Sequence, residues 1–220
     1  MDKVELRAAI RRSPLTRWIA DLEDATLFVG RWARGTATRG PLPALTKRAI
    51  LVAALKHAEL NAFVETGTFF GDTTHQFAKL GCTVYSVEVE PRLAALARRR
   101  FKDSANVHIV EGDSGTQLTN IIKALGAMPA LFWLDGHFSA GPTGKGETDT
   151  PIMKELETIL SLAAPASVVF VDDLWCFGVL PDYPKLEDVH RLLAARGAKD
   201  VATRDDLLQF SVPCRHQDRP

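Results

Sequence analysis

The chain has 220 residues, enough for one medium-sized domain with a real hydrophobic core. Its 46% hydrophobic and 25% charged residues are the mixture of an ordinary globular protein. Lys+Arg and Asp+Glu both number 27, so there is no basic surplus of the kind that phosphate neutralisation demands, and the charge argues against a nucleic-acid partner. The three cysteines, Cys82, Cys176 and Cys214, show neither a CxxC pair nor zinc-ligand spacing, which fits a reduced compartment. Without a signal-peptide pattern or a membrane-length apolar run, the expectation is a cytoplasmic protein with no membrane partner.

Residues 1–60 read as a helical extension. Val4 to Ile10 and Trp18 to Val29 carry apolar residues at three- and four-residue steps, and Arg7, Arg11, Arg12 and Arg17 read as a solvated face. After a loop with Gly35, Gly40, Pro41 and Pro43, a helix face of Leu45, Ile50, Leu51, Ala54 and Leu55 ends near Leu60. These helices are expected to cover the ligand crevice or to form a homodimer contact. From residue 61 to 220 a second region alternates short strands with helices. Strands are predicted at Ala62–Thr66, Thr83–Val87, Val107–Glu111, Ala130–Asp135 and Ser167–Asp172, nearly continuous in apolar residues, as suits a parallel sheet covered on both faces. The helices between them are Thr73–Lys79, Arg92–Phe101, Gln117–Leu125 and Pro151–Ala163, the last with Thr150 as N-cap before a first-turn proline. After a helix at Leu186–Arg196, Lys199–Thr203 and Leu207–Val212 flank a turn too short for a crossover, which predicts an antiparallel hairpin. The fold class is therefore α/β, a Rossmann-like doubly wound sheet.

The first strand runs into Glu65-Thr66-Gly67-Thr68-Phe69-Phe70-Gly71-Asp72-Thr73-Thr74. Glycines at 67 and 71 allow a tight turn and close approach of a ligand to the backbone, and Thr73 or Thr74 can cap the helix that follows. The same pattern also serves as a plain strand-to-helix turn. Glu88 closes the second strand about twenty positions after Gly67, where a carboxylate can accept bonds from the two hydroxyls of a ribose. Glycine loop and spaced acid together favour a nucleoside cofactor.

From Phe63 to Leu134 the chain resembles the cofactor half of class I S-adenosylmethionine-dependent methyltransferases. Glu65, Gly67 and Gly71 match their first motif, Glu88 their ribose-binding acid, and Gly112-Asp113-Ser114 the motif whose acid meets the adenine amino group. The resemblance implies a cofactor site of Glu65, Thr66, Gly67, Thr68, Phe69, Gly71, Thr73, Glu88, Asp113 and Ser114. It also implies a mostly parallel seven-stranded sheet closed by the antiparallel hairpin. Phe69 departs from the pattern, standing where the middle glycine of Gly-x-Gly-x-Gly belongs.

Asp135 closes the fourth strand, and Asp172 and Asp173 close the fifth. Carboxyl ends of neighbouring parallel strands face one crevice, and three carboxylates there repel unless a cation, a proton or hydrogen bonds offset them. This half resembles the metal-dependent small-molecule O-methyltransferases of the catechol, caffeoyl-CoA and macrolide-sugar types. That likeness implies Asp135, Asp172 and Asp173 as ligands of Mg²⁺, with Mn²⁺ or Ca²⁺ as alternatives, and a small-molecule hydroxyl acceptor. Asp135 and His137 are the catalytic candidates. His137 stands near where the catechol-type enzymes have a lysine and could be a general base or a structural histidine.

Phe138 to Asp149 forms a polar loop in which Gly144-Lys145-Gly146 fails the phosphate-loop pattern, because Gly146 takes the Ser/Thr place. Trp175, Cys176 and Phe177 are candidates for an apolar wall of the acceptor pocket. No Asn-Pro-Pro-Tyr motif follows the fourth strand, against amino methylation of nucleic acid. The alternatives are a nicotinamide-dependent oxidoreductase, which would call for a sixth parallel strand, and a non-catalytic binding protein of methyltransferase form.

Overall fold

The structure is a computed structural model in which residues 26, 41–135, 150–180 and 183–214 are described. The N-terminal helices, His137 and the loop from Phe138 to Asp149 lie outside, or almost wholly outside, the described residues.

The elements run α1 (Ala44–His57), β1 (Ala62–Thr66), α2 (Asp72–Lys79), β2 (Thr83–Glu88), α3 (Pro91–Arg100), β3 (Val107–Glu111) and α4 (Ser114–Leu125). They continue with β4 (Leu131–Leu134), α5 (Ile152–Leu162), β5 (Val168–Val171), a single 3₁₀ turn (Leu174–Cys176), α6 (Leu186–Ala195), β6 (Lys199–Arg204) and β7 (Leu207–Ser211). One seven-stranded sheet has the order β3-β2-β1-β4-β5-β7-β6. The first five strands are parallel, and β7 pairs antiparallel with both β5 and β6. The last two strands form the expected hairpin, and among the described residues no sixth parallel strand is present.

The apolar strands are continuous because each face has its own core. Successive side chains on a strand point to opposite faces. Val64, Phe132, Leu134, Val169 and Val171 join α4, α5 and α6 in one cluster. Phe63, Leu131, Trp133, Val168 and Phe170 join α1 and α2 in the other. Phe63 stacks on Phe77 of α2 with ring centroids 3.7 Å apart. The result is three layers with the sheet in the middle.

Four local expectations need correction. Leu45 is 53% exposed, so it lies off the buried face of α1, which instead holds Lys47, Arg48, Leu51 and Leu55. Helix α2 is not capped by a threonine: left-handed Gly71 (φ 75) occupies the N-cap, and Thr74 turns into the core. The N-cap position of α5 is held by Pro151 rather than Thr150. Helix α4 also starts three residues earlier than predicted, at Ser114, because the Asp113 side chain accepts from Thr116 N–H at 3.1 Å and caps the turn.

Candidate active site

The sheet geometry continues past the strand ends and sets the acids side by side. Gly67 and Thr68 donate to Val87 O, Gly112 to Glu88 O, Asp135 to Thr66 O and Asp172 to Leu134 O, at 2.9–3.2 Å. Ligands of open α/β sheets gather at this carboxyl edge, where the strand order reverses between β1 and β4.

On the β1–β3 side, the loop after β1 wraps around two acids. Glu65 is fully buried, and its Oε1 accepts from Ser86 Oγ at 2.7 Å and from Thr74 Oγ1. Thr68 Oγ1 extends the network to Ser86 Oγ at 2.5 Å. Burial pushes the Glu65 carboxyl up to about 8, against the lowering effect of the two hydroxyls. Its partners are neutral hydroxyls, so nothing nearby makes good the lost hydration of a charge. Glu88 is buried too, and its two oxygens accept from Phe69 N–H at 2.7 Å and Glu90 N–H at 3.0 Å. Burial again raises this carboxyl, while the backbone donors oppose the rise.

Phe69, the departure from the glycine pattern, keeps the backbone shape of a glycine, with φ 49. That left-handed turn aims its N–H at Glu88 and leaves its ring at the surface, against Phe70. Gly71 has both reasons to be glycine: its φ is +75, and an added Cβ would lie 2.8 Å from the Phe101 ring. Arg100 braces the same loop by donating to Phe70 O and pairing with Asp72 Oδ1 at 3.0 Å. Thr73 is half-buried on the first turn of α2, and Ser114 is buried at the start of α4.

Glu155 of α5 was not anticipated. It is buried beside Ser114 and Thr66, and burial pushes its carboxyl up to about 7. Among the described residues, Glu155 Oε1 and Thr66 Oγ1 are buried polar atoms without a hydrogen bond of good geometry. A glutamate at an inward position of an apolar helix was the available signal.

On the β4–β5 side, Asp135, Asp172 and Asp173 do converge, with one carboxylate oxygen of each within 4.8 Å of the other two. Asp173 is left-handed (φ 55), and its N–H donates to Asp172 Oδ1 at 2.7 Å. Two residues missed by sequence reasoning complete the cluster. Asp206, at the hairpin turn, accepts from Trp175 N–H at 3.2 Å. Lys47 of α1 brings its Nζ to 2.6 Å from Asp172 Oδ1, 3.3 Å from Asp173 Oδ1 and 3.7 Å from Asp206 Oδ2. Burial, followed by Asp135 and Asp173, holds the Asp172 carboxyl well above the usual carboxylate range, with Lys47 pulling the other way. Burial alone would lower Lys47, but Asp172, Asp173 and Asp135 outweigh it and raise the ammonium above its ordinary value.

Of the aromatic candidates, Trp175 is 40% exposed and donates Nε1–H to Asp173 Oδ1 at 3.3 Å. Phe177 belongs to the core. Cys176 is buried, and its thiol is pushed up to about 12, chiefly by burial, which removes it as a thiolate nucleophile at neutral pH.

No protein-family profile matches the chain, and no curated protein does. Solved structures do. An O-methyltransferase from Bacillus cereus in complex with SAH is 15% identical, with a TM-score of 0.56 over 88% of this chain and 90% of that one. The O-methyltransferase TomG of Streptomyces achromogenes, involved in tomaymycin synthesis and solved with SAM, is 17% identical, with a TM-score of 0.56 over 97% and 91%. The N-methyltransferase NodS of Bradyrhizobium japonicum is 14% identical, with a TM-score of 0.52 over 77% and 96%. The chain shares the fold of these methyltransferases.

Proposed function

We propose that this protein is an enzyme that transfers a methyl group from S-adenosylmethionine to a hydroxyl of a small-molecule acceptor. The observation that carries the reading is the pairing of two acidic sites along one sheet edge. Glu65, Glu88 and Asp113 lie on the β1–β3 side, and Asp135, Asp172 and Asp173 converge on the β4–β5 side. The structural neighbours crystallised with SAM or SAH support the donor, and their description as O-methyltransferases supports the acceptor class.

The residues present fit the donor. The loop after β1 is bent at left-handed Gly67 (φ 118), and beside it the buried Thr66 Oγ1 and Glu155 Oε1 make no hydrogen bond of good geometry among the described residues. Glu88 accepts one N–H on each oxygen, and each carboxylate oxygen has a second lone pair for a ribose hydroxyl. Asp113, with Oδ1 turned to its own helix, and Ser114 would flank the base. When bound, S-adenosylmethionine supplies a methyl carbon on a sulfonium, which keeps the pair of the broken C–S bond as a thioether. This chain's part is to position the acceptor and take its proton. As the acceptor oxygen bonds to carbon, the O–H proton passes to a carboxylate oxygen, for which Asp135 is the candidate.

The divalent ion expected at Asp135, Asp172 and Asp173 draws support from their 4.8 Å convergence. The residues as arranged do not fit it, because the Lys47 ammonium already engages two of the three.

The test is twofold. Calorimetry should find S-adenosylmethionine binding and no NAD binding, and a panel of phenols, catechols and sugar hydroxyls should include one that releases S-adenosylhomocysteine. NAD binding would favour the oxidoreductase. Cofactor binding without turnover on any acceptor would favour a binding protein.

A further inference from the structure

Lys47 occupies a place in α1 where a leucine would be ordinary. Lys47, Leu51 and Leu55 recur at four-residue steps and are all buried, which makes them one inward stripe of the helix. Lysine is almost never so buried unless it is paired. Here it is 9% exposed and meets residues at least 125 positions away in the chain, Asp172 and Asp173, with Asp206 beyond them. Those aspartates are themselves only 5–6% exposed. The charged groups facing the ammonium come from the β5 end and from the hairpin turn, and Asp135 at the β4 end acts on it as well. Among the described residues, the groups that act on it in this way are all carboxylates.

We propose that Lys47 is the resident cation of this crevice, a positioning residue whose ammonium replaces the divalent ion between Asp172 and Asp173 and makes the site metal-independent. An octahedral Mg²⁺ needs oxygens at about 2.0–2.1 Å, so an ion sharing the Asp172 carboxylate would lie within about 5 Å of the ammonium. Two cations that close in a water-poor crevice repel strongly. Nor does the lysine have an easy retreat, since its helix is fixed by Leu51 and Leu55 in the core beneath the sheet. The consequence for chemistry rests on the function proposed above. The acceptor hydroxyl is not activated by metal ligation, and its proton passes directly to a carboxylate.

The experiment is a Mn²⁺ titration followed by electron paramagnetic resonance on the full chain. It uses neither cofactor nor acceptor, so its outcome is independent of whether methyl transfer occurs. Wild type is expected to leave millimolar Mn²⁺ free. Lys47→Met is expected to gain one site, tightened by about tenfold or more, because the carboxylates have lost their cation. Lys47→Arg, which keeps the charge, should remain without a site. A wild-type Mn²⁺ site that Asp172→Asn removes overturns the proposal, as does a folded Lys47→Met that gains none. If Lys47→Met does not fold, the double variant Lys47→Met/Asp172→Asn decides. Recovery of the fold by Mn²⁺ or by the second substitution supports the proposal, and failure of both overturns it.

Discussion

The two halves of the sheet edge solve the same problem in different ways. On the β1–β3 side the hydrogen bonds to Glu65, Glu88 and Asp113 come from uncharged donors. Glu65 takes the hydroxyls of Thr74 and Ser86, Glu88 the N–H groups of Phe69 and Glu90, and Asp113 the N–H of Thr116. On the β4–β5 side the compensation is a charge from elsewhere, the Lys47 ammonium, 125 residues from Asp172. Hydrogen bonds can hold a lone carboxylate in place, but three or four crowded together repel, and here the Lys47 ammonium offsets part of that repulsion. The first half is held by hydrogen bonds within the protein. The second is already neutralised in part by the protein itself.

This contrast can be broken or sharpened by substitution. The largest effect is expected at Lys47. Lys47→Met should lower the unfolding free energy by about 3–5 kcal/mol, because it strands buried carboxylates without their partner. Urea denaturation reads this, and a loss under about 1 kcal/mol would mean the ammonium is not engaged as described.

Next comes Glu88. Glu88→Ala should weaken S-adenosylmethionine binding by about 1.5–3 kcal/mol, roughly ten- to a hundredfold in Kd, since the ribose loses a charged acceptor. Calorimetry on both proteins checks this, and unchanged affinity would remove Glu88 from the site. The substitution should leave Mn²⁺ behaviour untouched, which keeps the two halves separable.

A pH effect is expected from Glu65. Its carboxyl is raised by burial from 4.5 to about 8, so the folded chain holds a proton that the unfolded chain releases. That stabilisation is complete below about pH 4.5 and is lost as pH rises through about 8. Glu155, raised to about 7, and Asp206, raised to about 6, act in the same direction over narrower windows. Glu65→Gln should therefore flatten, without abolishing, the decline in stability from about pH 5 to pH 8. An unchanged slope in denaturant melts at several pH values would show that Glu65 is ionised in the fold.

The smallest effect separates the two uses of Asp113. Asp113→Ala should cost about 0.5–2 kcal/mol of stability through the lost cap, whereas Asp113→Asn, an equally good cap, should cost almost none. If the carboxylate also meets the adenine amino group, both variants should weaken cofactor binding, and calorimetry with the Asn variant isolates that role from the cap.

What the sequence determined by itself follows from interactions between near neighbours in the chain. Strands at Ala62–Thr66 and Val107–Glu111 are bounded as predicted, because a continuous apolar run has one stable place in a sheet covered on both faces. The antiparallel hairpin follows from a turn too short for any crossover. Gly67 and Glu88 were legible from their spacing at strand ends, and Asp113 from the resemblance of Gly112-Asp113-Ser114 to a family motif after β3. Even the convergence of Asp135 with Asp172 and Asp173 follows once β4 and β5 are neighbours.

The tertiary structure decided the rest. It turned Thr74 from a helix cap into a partner of Glu65, since a buried carboxyl needed the hydroxyl more than the helix end did. It brought Asp206 to the site because an antiparallel hairpin returns its turn to the carboxyl edge of the parallel strands. It also put Lys47 among the aspartates. A lysine on an amphipathic helix reads as a solvated residue, and only the packing of α1 against the sheet shows that its four-residue stripe with Leu51 and Leu55 points inward. Charge compensation acts through space between elements distant in the chain, so no local pattern encodes it.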